Sequence, residues 1–142
     1  MNIINNQVDL RKNIAHLESE VMELDQVDIP IKHYFANGFY AREMSMPADA
    51  VVVGKIHKSE HLCVVSQGEI EIVSEEKKER VKAPYTYVSK PGAKRALYAF
   101  SDVVWTTIHM TDEKDIEQLE RDLIAESYQQ LENYEAIKLC HG

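Results

Sequence analysis

Two histidines four residues apart, His57 and His61, lie in the stretch Gly54-Lys-Ile-His57-Lys-Ser-Glu-His61-Leu-Cys-Val-Val-Ser-Gln-Gly68. Neutral imidazole ligates Zn, Ni, Cu and Fe, and it titrates near neutrality, so this pair suits metal binding or acid–base chemistry. A metal site needs a further donor, for which His109 and Glu60 are candidates. One expectation is therefore a divalent transition metal (Zn, Ni, Fe or Mn) held by His57, His61 and His109. The plainer alternative is a metal-free pocket in which the histidines only form hydrogen bonds.

A second group is cationic. Lys55 and Arg95 flank the histidine stretch in sequence, with Lys90 and Lys94 close to Arg95. The planar guanidinium fork of Arg matches carboxylate and phosphate. Lys55, His57, His61, Arg95 and Tyr98 are thus expected to bind a small anionic ligand such as a sugar phosphate, nucleotide or carboxylate. Tyr85, Tyr87, Tyr98 and Trp105 are available as stacking walls, or equally as core. For Arg95 the competing reading is an ion pair with Asp102 or Glu60. Nucleophile elbows, P-loops and glycine-rich dinucleotide loops are absent, and five glycines leave little for a phosphate cradle.

The elements that must position these groups follow from periodicity. Leu10, Ile14, Leu17, Val21 and Leu24 recur at heptad spacing, which predicts an N-terminal helix with Asp9 as a cap and an end near Asp25–Asp28. Its apolar stripe either packs on the chain's own β-structure or zips against a second copy. From residue 31 to 110 the period changes. Short β-rich runs (HYFANGFYAREM, VVVGKIH, HLCVV, GEIEIVSE, ERVKA, YTYVS, RALYAF, VVWTTIH) alternate with turn signals such as Asn37-Gly38, Gln67-Gly68 and Pro91-Gly92. Many short strands at near-even spacing predict an all-β sandwich or barrel. After His109 a second helix is expected, capped by Thr111 or Asp112. Its stripe is Ile116, Leu119, Leu123, Ile124, Tyr128, Leu131 and Tyr134.

The chain of 142 residues suits one domain, read as residues 1–28 helical, 29–110 β-barrel and 111–142 helical. Composition is that of a globular protein, with 44% hydrophobic and 28% charged residues. The net charge of −8 argues against general nucleic-acid binding. That charge is uneven: residues 1–54 carry −4, residues 55–95 carry +3 and residues 96–142 carry −7. No apolar run reaches membrane-spanning length, and the N-terminus lacks a secretory pattern, so a cytoplasmic location is the default expectation. The two cysteines share no ligand or disulfide spacing; Cys63 reads as core and Cys140 as an exposed thiol.

The histidine stretch resembles the first motif of the cupin superfamily, in which HxH, a Glu and a Gly lie on two adjacent barrel strands. Counting back from Gly68 sets His61 at the family's Glu, His57 at its second His and Lys55 at its first. Pro84 through Pro91-Gly92 to Arg95 and Tyr98 resembles the second motif, with Arg95 at the position of its His and the Pro one residue closer to the Gly. This resemblance covers about residues 31–110. It implies a jelly-roll β-barrel, mainly β, with α-helices at both ends. Two cations at ligand positions depart from the family's metal site and would repel a divalent ion. Sugar epimerases of this fold pair a His base with a Tyr acid, a role that His57 or His61 with Tyr98 would match.

The N-terminal helix, Phe39–Met44, Lys55–His57 and Pro91–Arg95 together also resemble small cupin-like proteins of tailed bacteriophages. This implies a viral origin, with location in the host cytoplasm or on the virion. Three functions compete: a non-enzymatic, homo-oligomeric module binding a small anion; a divergent metal-dependent cupin enzyme; and a structural component that meets other phage structural proteins.

Overall fold

The computed structural model describes residues 3–23, 28–75, 77–125 and 127–133. Helix α1 (Ile3–Glu23) opens the chain. It starts six residues before Asp9, which therefore lies inside the helix and does not cap it. The expected end near Asp25–Asp28 falls largely outside the described residues, as do Cys140 and Tyr134. Ile14 is buried, and Lys94 Nζ donates to Glu18 Oε1 at 2.9 Å. Ile14 of the stripe thus packs on the chain's own barrel, where an amphipathic helix gains the packing that it cannot supply alone.

Ten strands follow before the second helix: β1 (Ile31–Ala36), β2 (Phe39–Met46), β3 (Val51–Val53), β4 (Ile56–His57), β5 (His61–Gln67), β6 (Glu69–Val73), β7 (Lys78–Lys82), β8 (Tyr85–Ser89), β9 (Ala96–Ala99) and β10 (Val103–Met110). All but β4 pair antiparallel in two main sheets, ordered β1-β2-β10-β5-β8 and β3-β9-β6-β7. The inner faces of the two sheets meet in one core. Met44, Met46, Cys63, Val65, Val103 and Trp105 come from the larger sheet, and Ile70, Ile72, Leu97 and Ala99 from the smaller. This is the mainly β barrel with flanking helices that the sequence pattern predicts. The strand β10 alternates strictly: Val103, Trp105, Thr107 and His109 are buried, and the residues between them less so.

Gly68 turns the chain from β5 into β6 with φ +87°, and a Cβ there would lie 2.1 Å from the Asp102 carbonyl oxygen. Only glycine meets both conditions.

The C-terminal segment is not the single helix expected. Helix α2 (Ile116–Leu123) is capped by Asp115, whose side chain accepts from the Glu117 amide, rather than by Thr111 or Asp112. It gives way to the two-residue strand β11 (Ile124–Ala125), which pairs with β4. Helical turns resume over residues 128–133. The stripe is split because Ile124 and Ala125 find a strand partner beside His57, which a continuing helix would forgo.

Candidate metal centre and cavity

Three strands bring one imidazole each to a common point. Extending the Leu62–Ile108 pairing of β5 and β10 by one residue sets His61 opposite His109, and alternation turns both inward. His57 arrives on β4, held by its backbone: its amide donates to the Ala93 carbonyl and its carbonyl accepts from the Gly92 amide. One nitrogen from each ring lies within 4.8 Å of the others. Ring centroids are 4.3 Å apart for His57 and His61, 4.5 Å for His61 and His109, and 5.4 Å for His57 and His109.

The protonation states favour ligation. His61 Nδ1 donates to the Ser59 carbonyl at 3.0 Å, which leaves a lone pair on Nε2. Burial first, then the neighbouring imidazoles and Arg95, push His57 down to about 2. Burial, His61 and Arg42 push His109 down to about 4. Burial also lowers His61, partly opposed by its bond to Ser59. All three rings are therefore neutral at pH 7.

Six buried side-chain polar atoms have no hydrogen-bond partner among the described residues: His57 Nδ1, His61 Nε2, His109 Nδ1, Arg95 Nη2, Tyr87 OH and Ser89 Oγ. They are close neighbours. Ser89 is paired with His61 across β5 and β8, and the Arg95 guanidinium carbon lies 5.5 Å from the Tyr87 ring centre and 6.0 Å from that of Trp105. Burial holds the Tyr87 phenol well above its ordinary 10, so it stays protonated and able to donate. Buried polar groups are ordinarily satisfied. Six orphans gathered at one end of an apolar barrel mark a place built for something else to bind.

Beside them is a cavity of about 220 Å³, lined by His57, His109, Arg95, Arg42, Lys55 and apolar side chains. Helix α2 roofs it with Ile116, Leu119 and Leu123, and Ile124 follows.

The structure brings His57, His61, His109 and Arg95 together. Lys55 lies on the rim, exposed, with Glu120 at 3.8 Å. Tyr98 stands apart: its neighbour Leu97 faces the cavity, while the Tyr98 hydroxyl donates to Asp49 at 2.7 Å. A His–Tyr98 acid–base pair is thus not formed. Neither expected ion pair of Arg95 is present, since Asp102 accepts from the Ala48 amide and Glu60 meets Lys90. Glu60 is likewise no third ligand. Tyr85 bonds Glu79 and is no cavity wall.

Sequence reasoning passed over His33, Tyr40 and Arg42. Tyr40 stacks on His109 with ring centres 6.4 Å apart and hydrogen-bonds His33 Nδ1 at 2.6 Å. The signal was present: a hairpin centred on Asn37-Gly38 places His33, Phe35, Tyr40 and Arg42 on one face.

No protein-family model matches the sequence, and no curated protein does. Solved structures do match. A cupin superfamily protein from Desulfitobacterium hafniense is 13% identical, with 63% of this chain and 84% of that chain covered and a TM-score of 0.53. Ectoine synthase from P. lautus is 14% identical, with 63% and 72% covered and a TM-score of 0.52. An acetylacetone dioxygenase from Acinetobacter johnsonii is 14% identical, with 60% and 61% covered and a TM-score of 0.51. The fold is that of a divergent cupin jelly roll. At such identities the likeness concerns the fold alone, since one fold hosts many chemistries. Among the described residues no helix is long and apolar enough to cross a membrane.

Proposed function

We propose that this chain is a metal-dependent cupin-fold protein in which His57, His61 and His109 hold one divalent transition ion beside a cavity for a small anionic ligand. The supporting observation is the convergence of three neutral imidazoles, His61 and His109 buried and His57 half-buried, each with an unpartnered nitrogen. Their nitrogens, within 4.8 Å of one another, would have to draw in by about 1 Å to sit around one ion with bonds of about 2.0–2.1 Å, a shift within reach of side-chain rotation. Structural metal sites are closed by four protein ligands, whereas three ligands beside a cavity leave positions for a small molecule. The site is accordingly of the catalytic type, in which a bound ion would supply Lewis acidity. The chain's own residues hold the imidazoles in the neutral tautomer, roof the cavity with α2 and place Arg95 where an anion would sit. Two proteins of like fold, a dioxygenase and a synthase, are enzymes by name.

Metal analysis of protein purified without an affinity tag tests this reading. About one transition ion per chain is expected, and a His57→Ala, His61→Ala double variant should lose it while remaining folded. Metal-free wild-type protein that fails to take up zinc, nickel, iron or manganese on dialysis would sink the proposal. The surviving reading would then be a metal-free anion binder.

A further inference from the structure

We infer that the cavity is built for a small carboxylic acid with an apolar body, its carboxylate held by Arg95. This inference rests on the cavity reading above and narrows it to one chemical class.

Charge is the first argument. Arg95 is only 8% exposed and has no carboxylate partner among the described residues. A buried, unpaired guanidinium is costly, and replacing it by an apolar side chain would relieve that cost. It is nevertheless here, beside the Tyr87 and Trp105 rings, with one nitrogen unused. Glu120 is the one acid lining the cavity among the described residues, and it is exposed and turned to Lys55. The histidines carry no negative charge in either protonation state and so offer no counter-charge. The missing negative charge must therefore come with the occupant. An anion between Arg95 and the three imidazoles would also offset the repulsion between the guanidinium and a bound cation.

The kind of anion follows from the remaining groups. Arg95 lines the cavity and offers a planar donor fork, which suits the two oxygens of a carboxylate. A phosphate brings more oxygens and a second charge, and the usual cradle for it is missing. Helix α2 presents no free N-terminus, because Asp115 already accepts there and Glu117 adds a negative charge. Polar residues such as Arg42, Tyr40 and Thr107 share the lining, but its apolar part, with Met44, Leu97, Trp105, Leu119, Leu123 and Ile124, asks for an apolar body. About 220 Å³ is below the range of cavities that take drug-sized ligands, about 300–1,000 Å³.

Calorimetric titration of the full, zinc-loaded chain with benzoate, acetate, benzamide and inorganic phosphate tests this. Benzoate should bind at least tenfold more tightly than acetate, which lacks the apolar body, and than benzamide, which lacks the charge. Arg95→Met should weaken benzoate at least tenfold while zinc is retained, and Arg95→Lys should recover only part of the loss. Equal affinity for benzamide, unchanged benzoate binding by Arg95→Met, or tighter binding of phosphate would each overturn the inference. If zinc binds and no acid does, the carboxylate inference falls and the metal reading stands. If none of zinc, nickel, iron and manganese binds, the metal reading falls, and the same titrations on the metal-free chain decide the carboxylate question alone.

Discussion

The two ends of the barrel are made from the same strands and differ in what those strands point inward. Along β10 the inward residues run from Val103 and Trp105 to Thr107 and His109. Along β5 they run from Val65 and Cys63 to His61. The first end is sealed: Met46, Val65, Ile70 and Val103 are among the most completely buried side chains, and the Gly68 turn closes against Asp102. The second end carries every orphaned polar atom found among the described residues. Stability thus resides at one end and the proposed binding at the other. Substitutions at the sealed end should be felt in unfolding, and those at the polar end in binding.

The largest effect is expected for Gly68→Ala. Positive φ alone costs about 1–3 kcal/mol, and the added Cβ also meets the Asp102 carbonyl oxygen at 2.1 Å. Denaturant unfolding should show a loss greater than that of any single core truncation, or no folded protein. Ile70→Ala, at a fully buried site, should lower unfolding free energy by about 2–5 kcal/mol. Both variants sharpen the comparison if whatever folds still takes up metal as the wild type does. Loss of metal affinity in well-folded Ile70→Ala would break it.

Acid should act on the polar end. The folded-state values of His57, His61 and His109 are all lowered from the ordinary 6.5. The unfolded chain therefore takes up protons that the folded chain refuses. The stabilising contribution is fully present above about pH 6.5. It declines as pH falls below that value, toward about 4 for His109 and about 2 for His57. Unfolding of metal-free protein followed from pH 7 to pH 4 should show this decline, and His57→Ala should flatten it. An equal slope in that variant would contradict the assignment.

Asp115→Ala removes the cap of the roofing helix and should cost about 0.5–2 kcal/mol by thermal unfolding. The smallest effect belongs to Ser89→Ala. Removing a hydroxyl that has no partner should leave the stability of metal-free protein within about 0.5 kcal/mol of wild type, or raise it slightly. A large loss would mean that the polar end is structural after all.

Much of this division was legible in the sequence. Strand positions followed from alternation and turn residues, because a half-buried strand must repeat with period two. His57, His61 and Arg95 were marked by the motif resemblance, and His109 as the imidazole ending the last strand. What stayed hidden depends on pairing between distant segments. His33, Tyr40 and Arg42 reach the site only through the register of β1, β2 and β10. Tyr98 looked eligible because a four-residue strand does not say which of its faces is inward. β11 escaped because two residues of strand inside an apolar stripe carry no periodic signal of their own.

The pairing of β11 with β4 joins the ceiling of the cavity to the strand that carries His57. Ile124 is opposite His57, and the Lys58 amide donates to the Leu123 carbonyl. Lifting α2 to admit a molecule therefore pulls on an imidazole. Under the proposed function, admission and coordination would be mechanically one event: an engineer who loosens the ceiling to accept bulkier guests would also disturb the grip on an ion.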